Sequence, residues 1–275
     1  MRSHVILAPA LRAVAISVSG ALVVGAAVAL VLHTTESTWL GMRHATCLST
    51  HCFCESVQRG VPRQPASAWS SMTYVFVGIS FYFSAVRTWL HIRLNGAVRV
   101  LSVLLILIGI GSFFYGFTLT FVGQFFDIFG MYLLGTFILL AALVRRGSIS
   151  FDAAVKLYIF LTMVLAVVQY LYPDARRWLF GLLLVPGIVL EFLPRTSSVP
   201  VKQRRPLILG FGILVVGYVF WILDQNLVLC SPNSVFQGHA AWHVLTALCG
   251  FCLAAHYSQT DDPFHPTSRV AFTTT

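Results

Sequence analysis

His239 and His243 lie four residues apart in Gln237-Gly-His-Ala-Ala-Trp-His243, at the head of the last apolar stretch of the chain. On a helix such a pair stacks on one face, one turn apart. Two imidazoles so placed are half of a common metal site, or else two polar groups bonded to neighbouring helices or to water. Ser112, Asp127 and Asp224 are further polar side chains within or beside apolar stretches. A polar group in a membrane-length segment is costly and marks a functional site by default, with metal or proton chemistry as its usual content. The competing reading is a network tying helix ends together at about 1 kcal/mol per bond. In that reading Asp127 is a helix-start residue favoured by the macrodipole, and Ser112 a small residue that lets helices approach.

The elements that must position these groups follow from composition. The 275 residues are 57% hydrophobic and 10% charged, with a mean hydropathy of +0.82; a soluble domain carries roughly 25% charge. That excludes a soluble function and predicts an all-α fold, a polytopic transmembrane helical bundle. The net charge of +9 does not signal nucleic acid, because the basic residues sit in short loops between apolar spans, as membrane topology requires. Uncharged stretches place eight helices at 13–32, 69–86, 100–120, 124–144, 157–173, 178–193, 206–227 and 239–257. The run 100–144 is interrupted only by Asp127 and is too long for one span, with Gly116 and Gly123 offering a turn. Pro186 and Glu191 interrupt the stretch 178–193. The first apolar run spans 20 residues, beyond the roughly 7–15 of a signal peptide, and reads as a retained anchor. The expected organisation is an anchor over 1–33, a cysteine-bearing loop over 34–68, a seven-helix membrane domain over 69–257 and a mobile polar tail over 258–275.

With the N-terminus in the cytoplasm, 13 of the Lys and Arg residues fall inside; Arg43, Arg59, Arg63, Arg176 and Arg177 fall outside. That bias places both termini in the cytoplasm. Ser112, Asp127, Asp224, His239 and His243 then arrive from four helices at one depth near the outer face, and no comparable group is expected at the inner face. Cys47, Cys52 and Cys54 share an outer loop and Cys230 another, where disulfides persist. A Cys54–Cys230 bridge with Cys47–Cys52 beside it is one reading; a zinc knuckle containing His51 is the other. Cys249 and Cys252, inside the last helix, read as small packing residues. A proton-coupled transporter would need charged groups along a path through the bilayer, which a cluster confined to one face does not provide.

Three blocks, taken in order, resemble the alkaline ceramidase family, including its bacterial members, within the superfamily that also holds the adiponectin receptors. They are Cys54-Glu55 with Arg63-Gln-Pro-Ala-Ser-Ala-Trp-Ser-Ser71; Gly111-Ser-Phe-Phe-Tyr-Gly-Phe-Thr-Leu-Thr-Phe-Val-Gly-Gln-Phe-Phe-Asp-Ile-Phe-Gly-Met131; and Phe220-Trp-Ile-Leu-Asp224, Cys230 and Gln237 to His243. The resemblance covers about 54–257 and implies a seven-helix core, which leaves the first helix as an addition. It implies a zinc-dependent hydrolase of the ceramide amide bond in a multi-pass membrane protein, with a ceramide-like lipid as partner and a bacterial inner membrane as location. Two of the family's three zinc histidines match His239 and His243, its serine matches Ser112 and its aspartate Asp127. Asp127 would then be the base for a metal-bound water, and Ser112 the donor to the oxyanion. The family's disulfide matches Cys54 and Cys230.

The chain departs from the family at the remaining histidine, four residues after the serine, where Gly116 stands. A catalytic zinc normally has three protein ligands, so Asp127 is the expected replacement ligand beside His239 and His243. Tyr115 is a poorer substitute, and a second water would weaken affinity. Glu55 matches one calcium ligand of the family, but Gln64 stands where another carboxylate belongs, so calcium is not expected. Tyr115, Gly116, Trp221, Asp224 and Trp242 are expected to line the substrate pocket. The alternative function is a catalytically silent relative that binds lipid as a receptor or structural membrane protein.

Overall fold

Long apolar runs can satisfy their backbone polar groups in a bilayer only as helices, and the chain does so throughout. The computed structural model describes residues 2–193, 201–228 and 230–259. Its helices are α1 (Arg2–Thr34), α2 (Glu36–Leu40), α3 (Pro65–Ser80), α4 (Ser84–Trp89), α5 (Gly96–Thr118), α6 (Phe121–Arg145), α7 (Phe151–Leu171), α8 (Arg176–Phe192), α9 (Val201–Gln225) and α10 (Gly238–Gln259). The expected eight stretches appear as eight long helices, six of which (α1, α5, α6, α7, α9 and α10) are long and apolar enough to cross a membrane. Helices α3 and α8, with 16 and 17 residues, are shorter. The protein is thus an all-α, multi-pass membrane bundle. The tail beyond Gln259 lies outside the described residues.

Helix starts follow local chemistry. Asn95, Thr120 and Ser150 each accept a backbone N–H from the first turn of α5, α6 and α7, satisfying donors that have no partner within the helix. Pro65 opens α3, where its missing N–H costs nothing. The expected helix over 69–86 is two elements, because the chain leaves α3 at Ser80 and re-enters α4 through an extended Phe83. The break buries Phe81 completely, edge-on to Phe251 of α10. The turn in the run 100–144 uses neither glycine expected there: Leu119 takes the left-handed conformation, φ 50°, and Thr120 caps α6. Main-chain bonds from Ala45 to Leu119 and from Phe121 to Arg43 hold that turn against the loop after α2.

Helix α5 is the centre of the bundle, packed against α1, α3, α6 and α10. It approaches α3 closely: a β-carbon at Gly109 would stand 3.0 Å from the Ser71 carbonyl oxygen, and the Ser71 hydroxyl in turn donates to the Gly109 carbonyl at 3.2 Å. Small residues drive such contacts where lipid supplies no hydrophobic force. The N-terminal α1 packs on α3, α4 and α5 rather than standing apart. Helix α8 packs on α6, and α9 on α10. Helices α8 and α9 touch through Arg177 over Trp221 (4.8 Å) and Phe192 against Phe211 (5.6 Å).

Both disulfides form, Cys47–Cys52 and Cys54–Cys230, which removes the thiolates a zinc knuckle would need; the His51 ring meets the Gln225 carbonyl instead (2.9 Å). Cys249 and Cys252 are free thiols packed against Gly210 of α9. The opposite end of the bundle corrects the expectation that nothing polar gathers there. Arg145 of α6 is ion-paired with Glu191 of α8, and His256 of α10 meets the same carboxylate at 3.0 Å. Their side chains are 2%, 1% and 4% exposed. The Arg145 guanidinium also lies 4.4 Å over the Tyr257 ring.

Candidate active site

The disulfide end brings together the starts of α3, α6 and α10 and the ends of α5 and α9. Asp224, at the end of α9, is buried, and both of its carboxylate oxygens are used. One accepts the Cys54 N–H and the other the His239 N–H, each at 2.9 Å. A carboxylate against the first N–H groups of a helix is favoured by their partial positive charge. Asp224 therefore joins α9, α10 and the disulfide loop, and positions the histidines instead of lining the pocket.

From that start α10 presents both imidazoles inward, 4.4 Å between ring centres and 67° between planes. His243 is held through Nδ1, which faces the Ser67 carbonyl oxygen at 3.1 Å and the Ser70 hydroxyl at 2.9 Å. Ser70 donates its one hydroxyl proton to the Ser67 carbonyl (3.1 Å). The Ser67 carbonyl can only accept, so a hydrogen bond to it from the ring places the proton on Nδ1 and leaves the lone pair on Nε2. His239 is held differently. Phe53, between the two disulfides, stacks on its ring at 3.5 Å and 16°, and its Nδ1 is buried without a hydrogen-bond partner. A buried polar nitrogen left open in this way is unusual and calls for a ligand, water or reaction partner.

Across the site, Ser112 of α5 donates its hydroxyl to the Asp127 carboxylate of α6, and both are buried. The two side chains expected at one depth are bonded to each other. The three-ligand set is not: among the described residues, no three His, Cys, Asp or Glu side chains stand where one metal ion could reach them. Tyr115 does not substitute, because its hydroxyl faces the Cys47 sulfur at 2.9 Å. At Gly116 an added β-carbon would stand 2.8 Å from the Ala68 backbone nitrogen and 3.0 Å from its α-carbon. The Gln64 N–H also donates to the Gly116 carbonyl at 2.9 Å. The main chain of α3 crowds the point from which a third imidazole would have to branch. The residues present fit two ligands of a catalytic zinc and not three, and no step below passes through a metal.

The other expected positions separate. Glu55 is buried and gives both oxygens to the first turn of α3, which leaves it no role as an open calcium ligand. Trp221 faces Arg177 and stacks on Tyr218 (5.6 Å), and Trp242 lies edge-on to the same tyrosine. The three rings form an aromatic patch on the α9 side of the site. Sequence reasoning missed Ser67, Ser70 and Phe53. The serine pair, three apart near the start of an apolar helix, was the available signal for the first two; Phe53 had none apart from its place between cysteines.

A family model described as Ceramidase matches residues 48–262, well over half of the chain and without α1. A protein of Dictyostelium discoideum named as a candidate alkaline ceramidase is 25% identical over 190 residues. The match covers 62% of this chain and 66% of that relative, so the chain spans just under two thirds of the relative's length.

Proposed function

The chain belongs to the ceramidase family, and on that premise we propose that it is a membrane-embedded hydrolase of the amide bond in ceramide or a closely related N-acyl lipid. The observation that carries the proposal is the imidazole pair, one ring with its Nε2 lone pair set free by Ser67 and Ser70, the other with an open buried nitrogen. Beside the Ser112–Asp127 pair, it supplies the parts that amide hydrolysis needs. Water attacks the carbonyl carbon while one imidazole takes its proton; the C–N bond breaks and that proton leaves on the amine. Ser112 turns its hydroxyl towards the developing oxyanion, and Asp127 holds it in place until then. In the proposed orientation both termini are cytoplasmic and the site lies near the outer face of a bacterial inner membrane, where its disulfides are stable.

Gly116 favours a second reading. With α3 backbone crowding the point from which a third imidazole would branch, the protein would bind lipid without turnover. One experiment separates the two. Purified protein in liposomes is given a fluorescent ceramide as isolated, after chelation and after zinc is restored, beside His243→Gln. Turnover that survives chelation and is lost in the variant supports metal-free hydrolysis. Turnover that needs zinc shows that a further donor completes the site on binding. Ceramide bound without turnover in any condition establishes the silent relative.

A further inference from the structure

We propose that the first turn of α3 is a positioning element for His243, and that Glu55 sets it from the disulfide loop. The inference rests on the reading that His243 acts at the site, but its test needs no substrate.

Glu55 follows Cys54 and is 5% exposed. Its carboxylate accepts the Ala66 N–H at 2.6 Å, the Ser67 N–H at 2.9 Å and the Ser67 hydroxyl at 2.7 Å. The Gln64 side chain closes the ring by donating to the Glu55 carbonyl at 2.8 Å. Backbone N–H groups at a helix start have no partner within the helix, and a carboxylate is the strongest one available. Ser67 is thereby held by three of its polar atoms. Its N–H and hydroxyl are fixed by Glu55, and its carbonyl accepts from Ser70 and from His243 Nδ1.

A cap that served only α3 would end at the N–H groups. Here the same turn continues into two acceptors aimed at one ring nitrogen, and a ligand-bearing histidine depends on such outer bonds for its tautomer and orientation. The chain Glu55–Ser67–His243 therefore carries the geometry of the loop, itself fastened to α9 and α10 through Cys230 and Asp224, into the choice of which imidazole nitrogen is open. Glu55, Ser67 and Ser70 are positioning residues; none is placed to touch substrate.

Full-length protein labelled with ¹⁵N-histidine in nanodiscs tests this, with His243→Gln to assign the signal. The wild type should show His243 in one tautomer, protonated at Nδ1. Glu55→Gln, whose amide can accept through a single oxygen, should give a mixture of the two tautomers; Ser70→Ala should shift the signal in the same direction, and Ser70→Thr should restore it. If turnover is present, kcat should fall about tenfold in Glu55→Gln with KM within about twofold. The proposal is overturned if the wild type is protonated at Nε2, or if both Glu55→Gln and Ser70→Ala leave the His243 signal unmoved. Should Glu55→Gln fail to fold, Ser70→Ala alone decides. A wild type that shows the tautomer but hydrolyses nothing would end the hydrolase reading and leave this one standing.

Discussion

Two buried polar clusters sit at opposite ends of one bundle, and both draw on α6 and α10. At the end away from the disulfides, Arg145, Glu191 and His256 neutralise one another: a guanidinium, a carboxylate and an imidazole meet with their side chains almost fully buried. At the disulfide end, Ser112 and Asp127 satisfy each other, but His239 keeps an open nitrogen and His243 an unshared lone pair. The first arrangement joins helices; the second is left incomplete on the side where a ligand would complete it. Burial alone therefore does not distinguish a site from a brace in a membrane protein. What distinguishes them is the kind of group: the brace pairs opposite charges, whereas the site holds two imidazoles beside each other with no carboxylate among the described residues bonded to either ring.

The largest effect should come from breaking the brace. Glu191→Ala leaves a buried Arg145 without its carboxylate and should destabilise the fold by about 3–5 kcal/mol, read from thermal or denaturant unfolding in micelles. Arg145→Met combined with Glu191→Leu should recover most of that loss; if the double variant is no better than the single, the pair does more than tie helices. Next is Gly116→Ala, which forces a methyl group against the α3 backbone and should cost about 1–3 kcal/mol. Gly116→His should gain neither zinc nor turnover, and a gain of either would show that α3 can move aside. His243→Gln should behave in the opposite way to the brace. Its unfolding free energy should change by about 1 kcal/mol or less, while turnover of fluorescent ceramide falls at least about 100-fold. Equal losses of stability and activity would erase the contrast between the two ends. The smallest effect belongs to Arg177→Gln, which removes the cation over Trp221 and should cost about 0.5–1 kcal/mol, with the tryptophan emission shifted and the melt nearly unchanged.

The helical class and most helix centres were legible in the sequence because uncharged length is itself the physical requirement for crossing a bilayer. The break after Ser80 was not, since the nearby Gly78 lies inside α3 packed against α5, and the chain turns where Phe81 is buried against a helix 170 residues later. His239 and His243 were legible from their spacing, and Ser112 with Asp127 from the family pattern. Gly116 reads from sequence as a missing ligand, and the fold adds that its α-carbon packs against the Ala68 backbone, a contact no local pattern reveals. The Arg145–Glu191–His256 cluster was hidden because each member has an ordinary local explanation: Arg145 as a loop charge that sets orientation, Glu191 as an interruption of a short helix, His256 as a helix-end residue. Only the fold brings the three together.

Phe53, the ring that covers His239, is flanked by the two cysteines that bind it to the rest of the chain. The bridges differ in reach: one joins residues five apart, the other residues 176 apart. A ribosome delivers the chain from the N-terminus, so the short bridge can close while most of the bundle does not yet exist. The long bridge must wait for Cys230, the last connecting loop, and an oxidant on that side of the membrane. The cover over the histidine is thus fastened on its second side only after α9 has been made, long after its short bridge can close.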